Sequence, residues 1–275
     1  MEAILTDLEW MHLKEMVDIL EPFAEATRLT EGEHLPTISL VVPTLLSLNR
    51  HLEQYCYKAK LLRTVVTELQ ISLKERFYGV FRNLSLCDEI PTLVEIGNQH
   101  PFGEPVYLLA AVLDPMFSFQ WMIDLDISDW QKDHIRGKVT DLIVEEADFL
   151  LLQSTSDPGE NDDAFEQKQA CMKLFANYKK RTSDGHLKNT NSQLDEYFEV
   201  VVEDNQLGCF KFWRVNKRRF SSLYCVAKKV FAIPASSTAI ERVFSRGEVM
   251  FRPYTSNLTD KVLSALICLK CNQNI

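Results

Sequence analysis

Glycine is scarce, at nine of 275 residues, and proline contributes only ten. A sandwich of short strands joined by tight turns needs more of both, whereas the Leu-, Glu- and Lys-rich stretches favour helices. No run of about 18 apolar residues occurs, so no membrane span is expected. The opening MEAILTDLEW has acidic residues near its start. It lacks both the basic start and the continuous apolar core of a secretion signal. Paired cysteines are missing too. The seven are Cys56, Cys87, Cys171, Cys209, Cys225, Cys268 and Cys271. An odd, widely spaced set fits reduced thiols of the cytosol or nucleus better than a disulfide framework. Nor is there an excess of positive charge: the net charge is −9, where a freestanding nucleic-acid module is usually basic.

What is present is an ordinary globular balance, 46% hydrophobic and 25% charged. The length permits one large domain or two modest ones. Charge is unevenly spread. Nine acidic residues and no basic one lie between Asp141 and Glu166. Between Gln206 and Arg246 nine basic residues face the single acid Glu241. A local positive field therefore survives near the C-terminus, although solvated helix faces give the same pattern.

Apolar periodicity predicts helices along most of the chain. Leu8, Met11, Leu13, Met16, Val17 and Leu20 follow a three-or-four spacing that Pro22 is expected to limit. Ile38, Val41, Val42, Leu45, Leu48 and Leu52 form a second stripe, with Pro43 either kinking it or sitting in its first turn. Leu62, Val65, Val66, Leu69, Leu73, Phe77 and Val80 predict one long amphipathic helix. The run VYLLAAVL (106–113) suits a buried strand or a buried helix equally. Helical patterns continue around Trp130–Leu152. Polar breaks follow at 156–163 and at Thr182–Ser192, and the domain boundary is placed at the second. QLDEYFEVVV (193–202) and the closing NLTDKVLSALICLKC read as helices.

The segment Ile233–Arg246, IPASSTAIERVFSR, is the most informative. Thr238-x-x-Glu241 reads as a capping box, in which hydroxyl and carboxylate each satisfy a free N–H of the first helical turn. The segment also resembles the signature of the hAT transposase C-terminal dimerisation region. That signature runs from Pro234, Ala235, Ser236 and Ser237 into Glu241, Arg242, Phe244 and Ser245. Flanking pieces agree: Gln193 to Tyr197, Phe212 to Asn216, Phe220-x-x-Leu223, Asn257-Leu258 and Val262-x-x-Leu266. Leu113-Asp114-Pro115-x-Phe117 and Ile19 to Thr27 resemble landmarks further upstream. Host proteins derived from these transposons and carrying zinc-finger BED domains are similar as well.

The resemblance implies a mainly α chain. Residues 1–185 would be a helical, insertion-like domain. Residues 190–275 would be the dimerisation region, joined to the C-terminal part of an RNase H-like core. It also implies a chemistry. The family holds divalent metal such as Mg²⁺ on two Asp and one Glu, because a two-metal site near a scissile phosphate needs several carboxylates. Glu241 matches the third carboxylate. The motifs surrounding the two Asp are not found, and Asp114 has no catalytic role in the family. The expectation is therefore no enzyme activity, no cofactor and no small-molecule substrate for this chain alone. The alternative is the C-terminal portion of an active transposase whose upstream part supplies the Asp residues and a DNA-binding finger. A third option is a decayed fragment that does not fold.

Other features divide in the same way. Cys268-x-x-Cys271 could begin a zinc site, but a closed site needs four ligands and no histidine follows His186, so packing is the expected role and no metal site is assigned. Lys217, Arg218 and Arg219 could contact DNA phosphates while Phe212 and Trp213 stack on bases. A buried aromatic face with a basic exposed side is the favoured reading. In the last helix Leu258, Val262, Leu266 and Leu269 form an apolar stripe, with Phe244 nearby, that needs cover from the chain or from a second copy. The resemblance favours a homodimer, in the nucleus, with DNA as a further partner; otherwise the protein is cytoplasmic.

Overall fold

The computed structural model describes residues 5–32, 35–86, 102–123, 125–154, 189–203, 208–238, 241–242, 245 and 260–271. The polar break at 156–163 and most of the one at 182–192 lie outside them. Every regular element among the described residues is helical, as the composition predicts. The chain forms two compact units. One comprises Met1–Gln70 with Ala232–Ile275, and the other Ile71–Phe231. The expected boundary at 185–190 falls at the edge of the undescribed stretch 155–188.

In the first unit, α1 spans Asp7–Thr30 and opens on a capping box: the Thr6 hydroxyl accepts from the Glu9 N–H, and the Glu9 carboxylate accepts from the Thr6 N–H. Pro22 does not end this helix. It lies in the interior of α1, so the loss of one backbone bond there is outweighed by the turns on either side. A tight turn of 3-10 type at Thr37–Leu40 leads into α2, Val41–Lys58, with Pro43 in its first turn where its missing N–H costs nothing. Ile38, Val42, Leu45, Leu48 and Leu52 are all buried, which matches the stripe read from the sequence. From α1 the buried residue is Ile19. The predicted α1 stripe instead faces outward: Leu8, Met11, Leu13, Val17 and Leu20 are exposed.

Glu15 on α1 does work of a different kind. Its carboxylate accepts from the N–H groups of Lys60, Leu61 and Leu62 at 3.0–3.3 Å. These donors lie in the turn leading into α3, Arg63–Arg76, with Leu62 at its N-cap. A negative charge at a helix N-terminus is stabilising, so α1 caps a helix distant in sequence. Desolvation pushes the Glu15 pKa up, but the three backbone donors outweigh it and the net shift is downward.

The long amphipathic helix expected from Leu62 to Val80 is two helices. The backbone turns at Phe77 (φ −108°, ψ 30°), and α4 follows at Tyr78–Asn83. The apolar spacing survives the break because Val66, Leu73 and Val80 are all buried, so periodicity alone does not reveal it.

The second unit is built around α5, Val106–Leu113, which resolves the helix-or-strand ambiguity. Leu108 to Leu113 are all buried, as expected for a helix apolar on every side. Around it lie α6 (Asp129–Ser154), α7 (Thr190–Glu203), α8 (Cys209–Asn216) and α9 (Ser221–Phe231). Helix α6 begins on a Ser128–Gln131 capping box and buries Ile135, Val139, Ile143 and Ala147 at four-residue spacing. Helix α9 buries Leu223, Val226, Ala227 and Val230 and packs on α5, α6, α7 and α8. The last described helix, α10, is Asp260–Cys271 in the first unit.

Candidate dimerisation site

The motif pieces read from the sequence meet at the end of α5. Its last carbonyls have no partner within the helix. The Tyr197 hydroxyl on α7 donates to the Val112 carbonyl at 2.9 Å, and the Trp213 indole N–H on α8 donates to the Leu113 carbonyl at 3.0 Å. Asp114 follows, buried, with its carboxylate accepting from the Met116 N–H at 3.0 Å and from the Cys209 thiol. Burial and the adjacent Asp114 push the Cys209 thiol far above its ordinary value. Burial also raises the Tyr197 phenol, with Asp114 and Cys209 adding to it. Phe212, Trp213 and Phe220 surround the Tyr197 ring at centroid distances of 5.4–6.1 Å. Gln193 completes this half: its amide accepts from the Ser222 N–H and donates to the Ser222 hydroxyl, both at 3.1 Å, which caps α9.

This arrangement agrees with the favoured reading of a buried aromatic face beside an exposed basic side, and not with the alternative of base stacking. Phe212 and Trp213 are buried and have no face free to stack on a base. The basic residues beside them are exposed, among them Lys217, Arg218 and Arg219. Arg219 pairs with Glu196 at 2.9 Å and lies over the Phe220 ring. Lys217 lies 5.4 Å from the Tyr224 ring centre.

The Pro-Ala-Ser-Ser segment belongs to the first unit and ties down the end of α1. The Ala235 N–H donates to the Thr37 hydroxyl at 3.0 Å, and the Ser236 hydroxyl to the Thr30 carbonyl at 3.3 Å. The Arg242 guanidinium donates to the Glu31 carbonyl, and a cation at a helix C-terminus also opposes the helix dipole. The Thr238–Glu241 capping box read from the sequence is not formed. Ser237, whose carbonyl accepts from the Glu241 N–H at 2.9 Å, is the cap. Its hydroxyl donates to the Glu241 carboxylate at 2.5 Å, while Thr238 accepts from Ser236. Glu241 itself is exposed.

On α10, Val262, Leu266 and Leu269 are exposed, although they are the apolar members of the predicted stripe. Leu258 and Phe244, assigned to the same surface, lie outside the described residues. Cys268 is exposed, and among the described residues no three His, Cys, Asp or Glu side chains converge as metal ligands would.

Residues 193–272 match the model of the hAT family C-terminal dimerisation region. This segment is a hAT-type dimerisation region. The hAT segment is divided between the two units after Phe231, so Tyr197 and Trp213 serve one unit and Arg242 and α10 the other. Similarity to hAT-related proteins extends beyond it. The chain is 22% identical to an AC transposase of Zea mays, over 95% of this chain and 31% of that protein. It is 20% identical to the zinc finger BED domain-containing protein 4 of Homo sapiens, over 96% of this chain and 20% of that protein. It is 21% identical to the zinc finger BED domain-containing protein DAYSLEEPER of Arabidopsis thaliana, over 95% and 34% respectively. The chain thus spans about a third or less of the curated relatives it matches. Among the described residues no helix is long and apolar enough to cross a membrane.

Proposed function

We propose that this chain is the self-association module of a transposase-derived protein and does not cut DNA by itself. The observation that carries this reading is the hAT dimerisation match at 193–272, whose last described helix leaves Val262, Leu266 and Leu269 uncovered. A helix with an open apolar side gains free energy when a second copy covers it, and pairing through identical surfaces is the commonest way to do so. Glu241 is the one carboxylate that matches the family's catalytic set, and its described partner is a serine hydroxyl. Sedimentation equilibrium tests the reading. A dimer is expected at micromolar concentration, and Leu266→Glu should dissociate it. A strictly monomeric wild type at tens of micromolar overturns it, and tight Mn²⁺ binding lost in Glu241→Gln would overturn the catalytic part.

A second reading, supported by the greater length of the relatives, is that this chain is the C-terminal portion of an active transposase. Strand cleavage by a longer form, abolished by Glu241→Gln, would favour it. On either reading DNA and the nucleus are the setting. The exposed Lys217, Arg218 and Arg219 would contribute phosphate contacts, so duplex binding should weaken with salt and with their replacement by alanine.

A further inference from the structure

Helix α1 leaves a second apolar stripe uncovered, on a different element from the residues assigned to dimerisation. Trp10, Leu13, Val17 and Leu20 are 59%, 45%, 62% and 40% exposed. They recur at intervals of three and four, and Ala24 and Thr27 continue the series, both exposed. This is the a/d spacing of a two-helix seam. The opposite side of the helix carries Ile19, which is buried.

One edge of the stripe is charged in a regular way. Asp7, Lys14, Glu21 and Arg28 stand seven residues apart, so they share that edge, and all four are exposed. Their signs alternate: minus, plus, minus, plus. Reversed end to end, the series reads plus, minus, plus, minus. Two copies of α1 laid antiparallel therefore set Asp7 against Arg28 of the second copy and Lys14 against Glu21 of the second copy, each pair occurring twice about the two-fold axis. The apolar positions fit under the same axis. Val17 meets Leu20 of the second copy, the large Trp10 meets the small Thr27, and Leu13 meets Ala24. A parallel pairing matches only Lys14 with Glu9, because it brings Glu21 and Arg28 against Met16 and Phe23, which are uncharged and half-buried against their own unit.

We propose that α1 pairs antiparallel with α1 of a second copy, adding a self-association surface to that of the hAT region. The occupant follows from sign and size together: bulk meets gap and charge meets countercharge only when the partner is this same helix, inverted. The helix is 24 residues long, about 36 Å, enough for every one of these layers. The inference rests on the self-association reading above, and the experiment separates the two.

Sedimentation velocity on the full chain would compare wild type with Lys14→Glu, Glu21→Lys, the double exchange, Val17→Glu and Leu266→Glu, with circular dichroism melts to confirm folding. Lys14→Glu and Glu21→Lys should each raise the dissociation constant about ten-fold. The double exchange, which again sets opposite charges against each other across the axis, should return it to within about two-fold of wild type, and added salt should shrink all these differences. If the charge variants and Val17→Glu associate like wild type while Leu266→Glu is monomeric, the α1 pairing is wrong and the hAT reading stands. If Val17→Glu alone dissociates the dimer, the α1 pairing stands and the assignment to α10 fails. A monomeric wild type overturns both.

Discussion

Tyr197 is fully buried, and its ring alone would fill the space between α5, α8 and α9. Its hydroxyl is there for the Val112 carbonyl, 2.9 Å away. Tyr197→Phe keeps the ring and leaves that carbonyl buried without its donor, which costs about 1–3 kcal/mol. Urea denaturation should show the loss, with the slope unchanged because the surface exposed on unfolding is the same. Glu15 is a residue of the opposite kind, engaged near solvent through three backbone N–H groups. Its carboxyl loses its proton more readily in the folded chain than its ordinary value of 4.5. Its contribution is therefore present above that value and is lost as the pH falls through the lower, folded one. Glu15→Gln should lower the melting temperature at neutral pH. The difference between wild type and variant should narrow below about pH 4.5.

At the scale of elements, α1 carries an internal proline that the surrounding turns tolerate. Proline in a helix interior costs about 3 kcal/mol in exposed hosts, and Pro22 is half-buried. Pro22→Ala should therefore stabilise the chain by about 1–2 kcal/mol, read as a rise in the urea midpoint. Helices were legible wherever the apolar spacing was long and one-sided, as in α2. Their ends were less so. The break at Phe77 leaves the buried set Val66, Leu73 and Val80 in register, so no gap in spacing marks it. Thr6-x-x-Glu9 and Ser128-x-x-Gln131 carry the capping-box spacing that opens α1 and α6. At 236–238 three adjacent hydroxyl residues compete for the cap, and the contacts that separate them, Ser236 to the Thr30 carbonyl and Ser237 to Glu241, leave no mark in the local sequence. The orientation of the α1 stripe was not legible, because periodicity shows that a helix has an apolar side without showing what covers it. The role of Tyr197 and Trp213 was equally hidden. Their partners are carbonyls 85 and 100 residues away, and a motif read locally carries no trace of them.

At the scale of the whole molecule, the hAT segment contributes to both compact units, so the family signature is not one folded piece. Three of the described thiols share a chain but differ in reach. Cys225 and Cys268 are exposed, whereas Cys209 lies buried beside Asp114. A protonated, enclosed sulfur is a poor nucleophile. Alkylation with iodoacetamide followed by mass spectrometry should modify Cys225 and Cys268 within minutes in the native state. Cys209 should react only as fast as the helices around it come apart. That one sulfur atom gives the molecule an intrinsic clock for its own opening, which can be read without engineering a reporter residue. Rapid native labelling of Cys209 would show that the joint between α5 and α8 is loose.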